Sequence, residues 1–412
     1  MSSTKEHGLV KNTVYLYLLT AAKIVGPLIT LPYLTRVLSV PSYGLVAYVR
    51  AYSTYMQLLL DFGFLLSATK AIALASGDCT VIGRIVGNTI AEKGLLAVAC
   101  VFITAMAIPF VSLLAANPLY VWIALLSCTA SILILDFLYR GIERMEFVAI
   151  PVVVSKVVVV VATLLFIHGD EDLLLIPLFD LVGNLVAGTI SIAYLRGRKI
   201  RVLFSGVRRW FADLRESLVY FVSNFSTTFF GALTTLVAGV VFDVDQVAYW
   251  SLCMTFVTAA KSLYSPISNS LYPYMVVEGD LGIVNRVAKL SAVPAVICVG
   301  TLMLWGHELV TFVAGPEYGV SAVILQWMIP VFLCSYYSMI YGWPVLGAIG
   351  LEKETTFTTL FAAAIQVILI VAFYCTGTLT VFTLAATCGV SEAVLLLLRL
   401  GLLGKHIDKF KK

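Results

Sequence analysis

Basic side chains deep inside apolar stretches are the residues of this sequence with the clearest chemical potential: Lys23, Arg50, Lys156 and Lys261. A charge at bilayer depth costs at least about 2.5–3.5 kcal/mol on the insertion scale, so it normally faces a partner or a water-filled cavity. Acidic residues at similar depth are fewer, namely Asp180 and Glu392. The positive excess indicates a site for an anionic group, although pairing of Lys156 with Asp180 is an alternative for those two residues.

Polar residues extend from these cations along one face of each helix, if successive residues turn by about 100°. On the second apolar stretch Tyr48, Tyr52 and Tyr55 fall opposite the polar arc. The predicted binding residues are Lys23, Arg50, Thr54, Gln57, Lys156, Tyr220, Asn224, Thr228 and Lys261, and the candidates for ion coupling are Asp61, Asp180 and Glu392. Two explanations stay open for such stripes. They either join helices through small polar residues or line a water-filled cavity; the Lys and Arg positions favour the cavity.

The elements that position these residues are membrane-spanning helices. Apolar residues make up 60% of the 412 positions and charged residues 12%, against about 45–50% and about 25% in soluble domains. The mean hydropathy of +0.99 excludes a soluble enzyme, a DNA-binding module and a secreted disulfide scaffold. Helical spans of about 20 residues are predicted at 12–36, 43–65, 86–112, 118–138, 148–167, 173–195, 216–240, 246–272, 290–313, 319–342, 355–375 and 379–402.

The distribution of basic residues predicts the orientation. With the N-terminus in the cytoplasm, the cytoplasmic segments hold most of the 27 Lys and Arg residues, whereas the opposite loops hold Arg36; the positive-inside rule therefore places both termini in the cytoplasm. Lys93 and Arg399 are expected near the cytoplasmic ends of their spans, where they reach the membrane surface. The predicted domains are an N-terminal six-helix bundle (1–195), a basic cytoplasmic linker (196–215) and a C-terminal six-helix bundle (216–412).

Other chemistries find little support in the sequence. The eight cysteines lie almost all within spans and form no CxxC pair, and the four histidines are scattered, so neither a metal site nor a cofactor is expected. There is no phosphate-binding loop for ATP and no motif for nucleic acid. The Asp243-Val244-Asp245 segment formally resembles the metal motif of glycosyltransferases, but it lies on a short predicted outside loop. The N-terminus is not expected to be a cleaved signal peptide.

Several segments resemble the polysaccharide transporter family, the Wzx-type O-antigen flippases of the multidrug/oligosaccharidyl-lipid/polysaccharide exporter superfamily. The resembling segments are 31–38 (LPYLTRVL), 43–44 (YG), 61–70 (DFGFLLSATK), 136–145 (DFLYRGIERM), 216–217 (ES), 272–274 (YPY) and, more loosely, 342–353. The resemblance implies an all-α integral membrane fold of two six-helix bundles around a central cavity, lined by the first, second, seventh and eighth helices.

The resemblance also implies the function: alternating-access transport of an undecaprenyl-pyrophosphate-linked oligosaccharide from the cytoplasmic to the periplasmic leaflet of the bacterial inner membrane. The expected partners are this glycan lipid, the bilayer and, as a further option, other polysaccharide assembly proteins. No covalent chemistry is needed, so the protein is not expected to be an enzyme. The alternatives are a drug or cation antiporter or a lipid II flippase of the same superfamily, and from another class a membrane glycan polymerase. Two driving forces stay open. Transport is either coupled to a proton, or it is drawn forward because the transported product is consumed on the outer side of the membrane.

Overall fold

The computed structural model describes the backbone of residues 2–75, 77–197 and 200–410, and side chains over the same ranges except 2–13, 223–224, 226–232, 265–266, 269, 273, 291, 294 and 409. This part of the chain is helical, without strands. Its α-helices are α1 Ser2–Val37, α2 Val40–Asp61, α3 Phe64–Leu74, α4 Cys79–Ala107, α5 Ser112–Ala116, α6 Pro118–Ala130, α7 Asp136–Gly141, α8 Glu146–Phe166, α9 Leu175–Gly197, α10 Val207–Val241, α11 Val244–Val277, α12 Leu281–Ala314, α13 Gly319–Trp327, α14 Ile329–Ile340, α15 Glu352–Cys375 and α16 Val381–Lys405.

Short helical turns connect or interrupt these helices. They are the 3₁₀ turns Ile108–Phe110, Ser131–Leu133, Asp170–Asp172, Pro316–Tyr318, Gly347–Ile349 and Ile407–Lys409, and the π-helical turn Tyr341–Leu346. The predicted continuous span 319–342 is wrong in detail, because the helix breaks at Met328, two residues before Pro330. By contrast, α1 runs unbroken through Pro27 and Pro32.

Ten helical segments within the described residues are long and apolar enough to cross a membrane. They correspond to the first six and the last four predicted spans. The predicted spans 216–240 and 246–272 lie in α10 and α11, which contain side chains outside the description. The chain is therefore an all-α multi-pass membrane protein, while the total of twelve spans and the cytoplasmic termini stay predictions.

The chain forms two compact units, Met1–Val240 and Val241–Lys412. The contacts thus group nearly all of α10 with the first unit; the division into two six-helix bundles joined at 196–215 stays a prediction. In the first unit α8 packs between α1 and α9, and α6 also packs on α9. Gly183 lets α9 approach Ser155 on α8, and a side chain there would collide with it. Small residues at such crossings permit the close packing of helices in membranes.

A sharp turn between α2 and α3 lies in direct contact with α10. Phe62 and Gly63 both have left-handed backbone conformations, with φ of 35° and 78°, and this ends α2 and redirects the chain. A Cβ on Gly63 would collide with the α10 backbone at Ser217 and Phe221. Position 63 therefore needs glycine both for its conformation and for its space. The Phe62 and Phe221 rings stack with centroids 4.5 Å apart.

Residues 200–206, here called the strap, connect α9 to α10 without regular secondary structure. The strap packs along α4, where Leu203 N donates to Gly83 O at 3.0 Å. A Cβ on Gly83 or Gly87 would collide with the carbonyl oxygens of Arg201 and Leu203. Part of the segment predicted as a basic surface linker is therefore a packed element.

The second unit is organised around α16. This helix packs on α14 and α15, and α11 packs on α14 and on the π-helical turn. Within that turn Gly342 has a non-helical conformation, and Pro344 follows two residues later. The local break places the turn directly against α16, where a Cβ on Gly342 would meet the Arg399 guanidinium.

Candidate functional site

The α2 helix separates a packed face from an open one. Tyr48, Tyr52 and Tyr55 are buried, whereas Arg50 and Thr54 on the opposite side are exposed. Within the described part of the chain the Arg50 guanidinium makes no hydrogen bond and no ion pair. A cation that leaves the protein interior on a membrane helix needs water or an anion as its partner.

The same polar arc ends in a hydrogen-bonded ion pair. Lys93 Nζ lies 2.9 Å from Asp61 Oδ1, and Gln57 Nε2 donates to Asp61 Oδ2 at 3.2 Å. Ser131 Oγ in turn donates to Gln57 Oε1 at 3.0 Å. The Lys93 side chain is 5% exposed and that of Asp61 45%. Gln57 and Asp61, predicted for sugar binding and ion coupling, thus belong to one network.

The position of Lys93 corrects the sequence prediction. It was expected at the membrane surface, yet it is buried, with Nζ 5.9 Å from the centre of the Phe137 ring. Asp136 interacts electrostatically with Lys93, Asp61 and Lys23. Lys23 itself is exposed, so the predicted cation of α1 lies near this network without forming a salt bridge in it.

Lys156 and Asp180, considered above as a pair, form no salt bridge within the described residues. Both are half-buried. Asp180 and Arg50 both interact electrostatically with Tyr120 on α6. Asp180 therefore lies close enough to Tyr120 to interact with it, and the predicted pairing with Lys156 is not formed as a salt bridge.

The α10 stripe is partly a packing surface. Ser217 is buried, and its Oγ is 2.7 Å from Ser67 Oγ. Tyr220 is half-buried, and its Cβ lies where α10 crosses Gly63. The side chains of Asn224 and Thr228 lie outside the described residues, so their predicted contacts with sugar stay predictions.

A second ion pair occupies the second unit. Lys261 Nζ on α11 lies 2.6 Å from Glu392 Oε1 on α16, with the two side chains 42% and 18% exposed. Ser338 Oγ donates to Glu392 Oε2 at 3.3 Å. A predicted substrate-binding cation and a predicted coupling carboxylate are therefore direct partners.

Arg399 belongs to the same region, about two turns along α16 from Glu392, but its burial differs from the sequence prediction. It was expected to reach the membrane surface, but it is 6% exposed. Its guanidinium donates to the Ser338 carbonyl and, at 3.0 Å, to Thr359 Oγ1, and it interacts electrostatically with Glu392. The sequence showed no sign of this burial, because it depends on the helix break at Gly342, where the missing side chain leaves room for the guanidinium.

Among the described residues, no group of three or more His, Cys, Asp or Glu is placed to hold a metal ion. The arrangement instead offers cations, hydroxyls and carboxylates on membrane helices, which are groups able to bind a polar, charged solute.

A family model described as "Polysaccharide biosynthesis protein" matches residues 9–277, about two thirds of the chain. The chain belongs to this polysaccharide biosynthesis family. Two relatives, both named "Putative O-antigen transporter", are similar over most of their length. The protein from Escherichia coli K12 is 24% identical over 380 residues, covering 89% of this chain and 90% of the relative; that from Shigella dysenteriae is 26% identical over 322 residues, covering 77% and 81%.

Solved transporters share the fold of this family member. A structure of lipid II flippase MurJ in an inward closed conformation aligns with a TM-score of 0.72 at 13% identity, covering 97% of this chain and 89% of that one. An inward-facing multidrug resistance MATE transporter of the MOP superfamily aligns with a TM-score of 0.68 at 14% identity, covering 97% and 98%. The expected family and the all-helical membrane fold are thus confirmed, and the relatives are named as transporters and not as enzymes.

Proposed function

We propose that this protein is a flippase that moves an undecaprenyl-pyrophosphate-linked oligosaccharide, such as an O-antigen repeat unit, across the bacterial inner membrane. In this proposal the substrate travels from the cytoplasmic to the periplasmic leaflet by alternating access, and both termini stay in the cytoplasm. The names of the two curated relatives support the glycan class of the substrate. The twelve-span, two-bundle organisation belongs to the same proposal.

The observation that carries the proposal is the exposed Arg50 on a membrane helix, whose guanidinium forms no hydrogen bond or ion pair with any described residue. An anionic head group cannot cross hydrocarbon without compensating charge and hydrogen bonds. Arg can bind a phosphate through two parallel N–H donors. A pyrophosphate bound at Arg50 would therefore satisfy the cation and the substrate at once.

Other residues take supporting roles in this proposal. Lys23 and the partly exposed Lys261 attract the pyrophosphate, with Lys156 as an additional cation. Five further residues would form hydrogen bonds with the sugar hydroxyls through their own hydroxyl or amide groups: Thr54, Gln57, Tyr220, Asn224 and Thr228. The polyprenyl tail would stay in the lipid, which avoids the cost of moving many methylenes into water. Asp61, Asp180 and Glu392 are the candidates to carry a coupling proton.

The test compares Arg50→Ala with Arg50→Lys in a host that lacks its own flippase, scored by surface glycan at matched protein levels. Losing charge-assisted bonds worth about 1.5–3 kcal/mol predicts a loss of at least about tenfold for Ala, with partial recovery in Lys. Lys70→Ala, which removes an exposed cation on α3, is the control and should stay active. Full activity of both Arg50 variants would contradict the proposal.

Reconstituted vesicles separate the competing functions. Because the MurJ and MATE folds are both similar to this chain, the fold does not discriminate between lipid II, drugs and glycan lipids. Vesicles are therefore supplied in parallel with the polyprenyl-linked glycan, with lipid II and with a cationic dye. We expect Arg50-dependent transport of the first. Transport of the dye alone would instead indicate the antiporter, for which a positively charged site is unsuited.

A further inference from the structure

A cavity lies between the strap and helices of the first unit. Its volume of about 320 Å³ falls at the lower end of the range of about 300–1,000 Å³ found for small-molecule sites. The walls come from α4, α9, the segment after α6 and the strap: Ile90, Leu133, Leu135, Ile192, Leu195, Arg196, Ile200 and Val202. Seven of these eight side chains are apolar, and none is acidic. The interior therefore suits a hydrocarbon chain, because a polar group would lose its hydrogen bonds there.

A cation completes the cavity wall. Arg196 is exposed in the last turn of α9, and its guanidinium forms no hydrogen bond or ion pair with any described residue. Because α9 is apolar enough to cross a membrane and ends at Gly197, Arg196 lies where a span meets the lipid headgroups. Long basic side chains at the ends of spans extend into that layer. An anionic headgroup therefore suits Arg196 as a partner.

The strap and the first turns of α10 present apolar side chains on their surface. Leu203, Phe204, Val207 and Phe211 are all exposed, and the exposed Arg208 lies among them. Apolar side chains next to basic ones are typical of segments that lie at the boundary between headgroups and acyl chains. Lipid, and not water alone, is therefore the medium that borders the cavity.

We propose that this cavity binds one acyl chain of an anionic phospholipid, that Arg196 holds the lipid phosphate, and that the bound lipid fastens the strap. Arg suits the headgroup because its guanidinium can bind phosphate through two parallel N–H donors. Every methylene of the acyl chain that enters the cavity adds favourable apolar burial. Four of the lining residues are half-buried, so the cavity is partly open to an entering chain: Ile90, Leu133, Ile192 and Val202.

This lipid is distinct from the substrate of the proposed function. None of the predicted substrate-binding residues lines the cavity, and its wall contains no hydroxyl or amide side chain that would bind a sugar. The charge of Arg196 therefore selects the headgroup, and the apolar wall selects the chain. The site goes beyond the proposed function, because it uses contacts of the first unit alone and does not depend on which substrate is transported.

The lipid would add to contacts that already attach the strap. Asn88 Oδ1 on α4 accepts from Ser205 N at 2.9 Å and from Trp210 Nε1 at 3.3 Å. Asn88 Nδ2 donates to Asp213 Oδ2 at 3.3 Å. One side chain of α4 thus holds both the end of the strap and the start of α10. A lipid beneath the strap would stabilise the same attachment from the other end of the strap.

Native mass spectrometry of the full-length protein in detergent tests the site. At low lipid concentration we expect one molecule of dioleoylphosphatidylglycerol to be retained. The zwitterionic dioleoylphosphatidylcholine and the short-chain dihexanoylphosphatidylglycerol should each bind at least about tenfold more weakly, because one lacks the net negative charge and the other lacks most of the hydrocarbon. Equal affinities for the two long-chain lipids, or for long and short chains of phosphatidylglycerol, would overturn the proposal.

Two substitutions test the two parts of the site. Arg196→Gln removes the cation, and Val202→Phe fills the cavity while keeping the cation; each should weaken binding of dioleoylphosphatidylglycerol about tenfold. The matched controls are Arg208→Gln, at an exposed arginine outside the cavity, and Leu203→Phe, at the exposed neighbour of Val202; both should bind like the wild type. If Val202→Phe does not fold, Arg196→Gln decides alone. Wild-type affinity in Arg196→Gln, or an equal loss in Arg208→Gln, would overturn the proposal.

Hydrogen exchange in nanodiscs tests the effect on the strap. Peptides covering 200–213 should exchange several-fold more slowly in phosphatidylglycerol than in phosphatidylcholine, because a fastened segment opens less often, and the difference should disappear in Arg196→Gln. Equal exchange in the two lipids would contradict the fastening. Displacement of phosphatidylglycerol by an equimolar polyprenyl phosphate would assign the cavity to the transported lipid and overturn the proposal. None of these measurements depends on transport, so their outcome is separate from that of the Arg50 test.

Discussion

In the described part of the chain, each unit contains one lysine–carboxylate pair on its membrane helices, but the two pairs are exposed in opposite ways. In the first unit Lys93 is 5% exposed and Asp61 45%; in the second, Lys261 is 42% exposed and Glu392 18%. The accessible member is the anion in one pair and the cation in the other. Nothing in the sequence distinguishes the two pairs. From their exposures we infer that Lys93 has a structural role, and we propose that Lys261 can exchange its carboxylate for an anionic ligand.

The largest effect that tests this difference is expected in the first pair. Asp61→Ala leaves the buried Lys93 without its direct partner, which costs about 3 kcal/mol or more for a buried charge. Lys93→Met leaves a half-exposed Asp61 that water can hydrate, so its cost should be clearly smaller. Thermal unfolding in detergent measures both. Equal destabilisation by the two variants would refute the assignment of the roles.

Substituting Lys261 in the second pair should reduce transport more than it reduces thermal stability. Lys261→Ala removes an accessible cation, and we expect about a tenfold loss of glycan transport, equivalent to about 1.4 kcal/mol. Because Glu392 keeps the Ser338 donor and its interaction with Arg399, the loss of thermal stability should be smaller than that of Asp61→Ala. Lys261→Arg should retain most transport because it keeps the charge. Glycan transport into vesicles gives the readout, with Lys353→Ala, at an exposed position, as the control. A Lys261→Ala protein that unfolds instead of losing transport would make this pair equivalent to the first.

The smallest effect is expected at Asp170, a carboxylate of the first unit outside the membrane spans. Partial burial raises its pKa, but hydrogen bonds from Ser39, including Ser39 N at 2.9 Å, and from Ser42 outweigh this and leave the pKa below its usual value. A lowered folded-state pKa stabilises the protein above the unfolded pKa, and this contribution disappears as pH falls through the folded value. Asp170→Asn should therefore cost less than about 1 kcal/mol at neutral pH and reduce the acid sensitivity of unfolding below about pH 4, the usual pKa of an aspartate. The measurement is thermal unfolding of both proteins as a function of pH. If the wild type and Asp170→Asn lose stability equally as the pH falls, the prediction is wrong.

Much of the fold was predictable because its signals are local. Apolar runs of the length of a bilayer identified the helical segments, and the 100° spacing on α2 separated its tyrosines from Arg50 and Thr54, as the burial of these residues shows. Helix breaks were harder. The interruption at Met328 lies inside an apolar run, where hydropathy changes little.

The site was predictable in its residue types and less so in its pairings. Lys261 and Glu392 were both selected, but their direct contact joins residues 131 positions apart. Lys93 and Arg399 were assigned to the membrane surface because their distance from the span ends looked short. Their burial depends on Asp61, on Thr359 and on the space left at Gly342, none of which a local window includes.

The sequence by itself determined the environment and the class of this protein: too little charge for water, helices long enough for a bilayer, a surplus of deep cations, and motifs of the polysaccharide biosynthesis family. Hydropathy and helical periodicity depend on neighbouring residues, so a linear chain displays them. Tertiary structure alone decided which charge is accessible, which is enclosed, and that Asn88 joins the strap to Asp213. Those outcomes depend on helix crossings between distant segments, where a glycine or a turn sets the distance between two side chains.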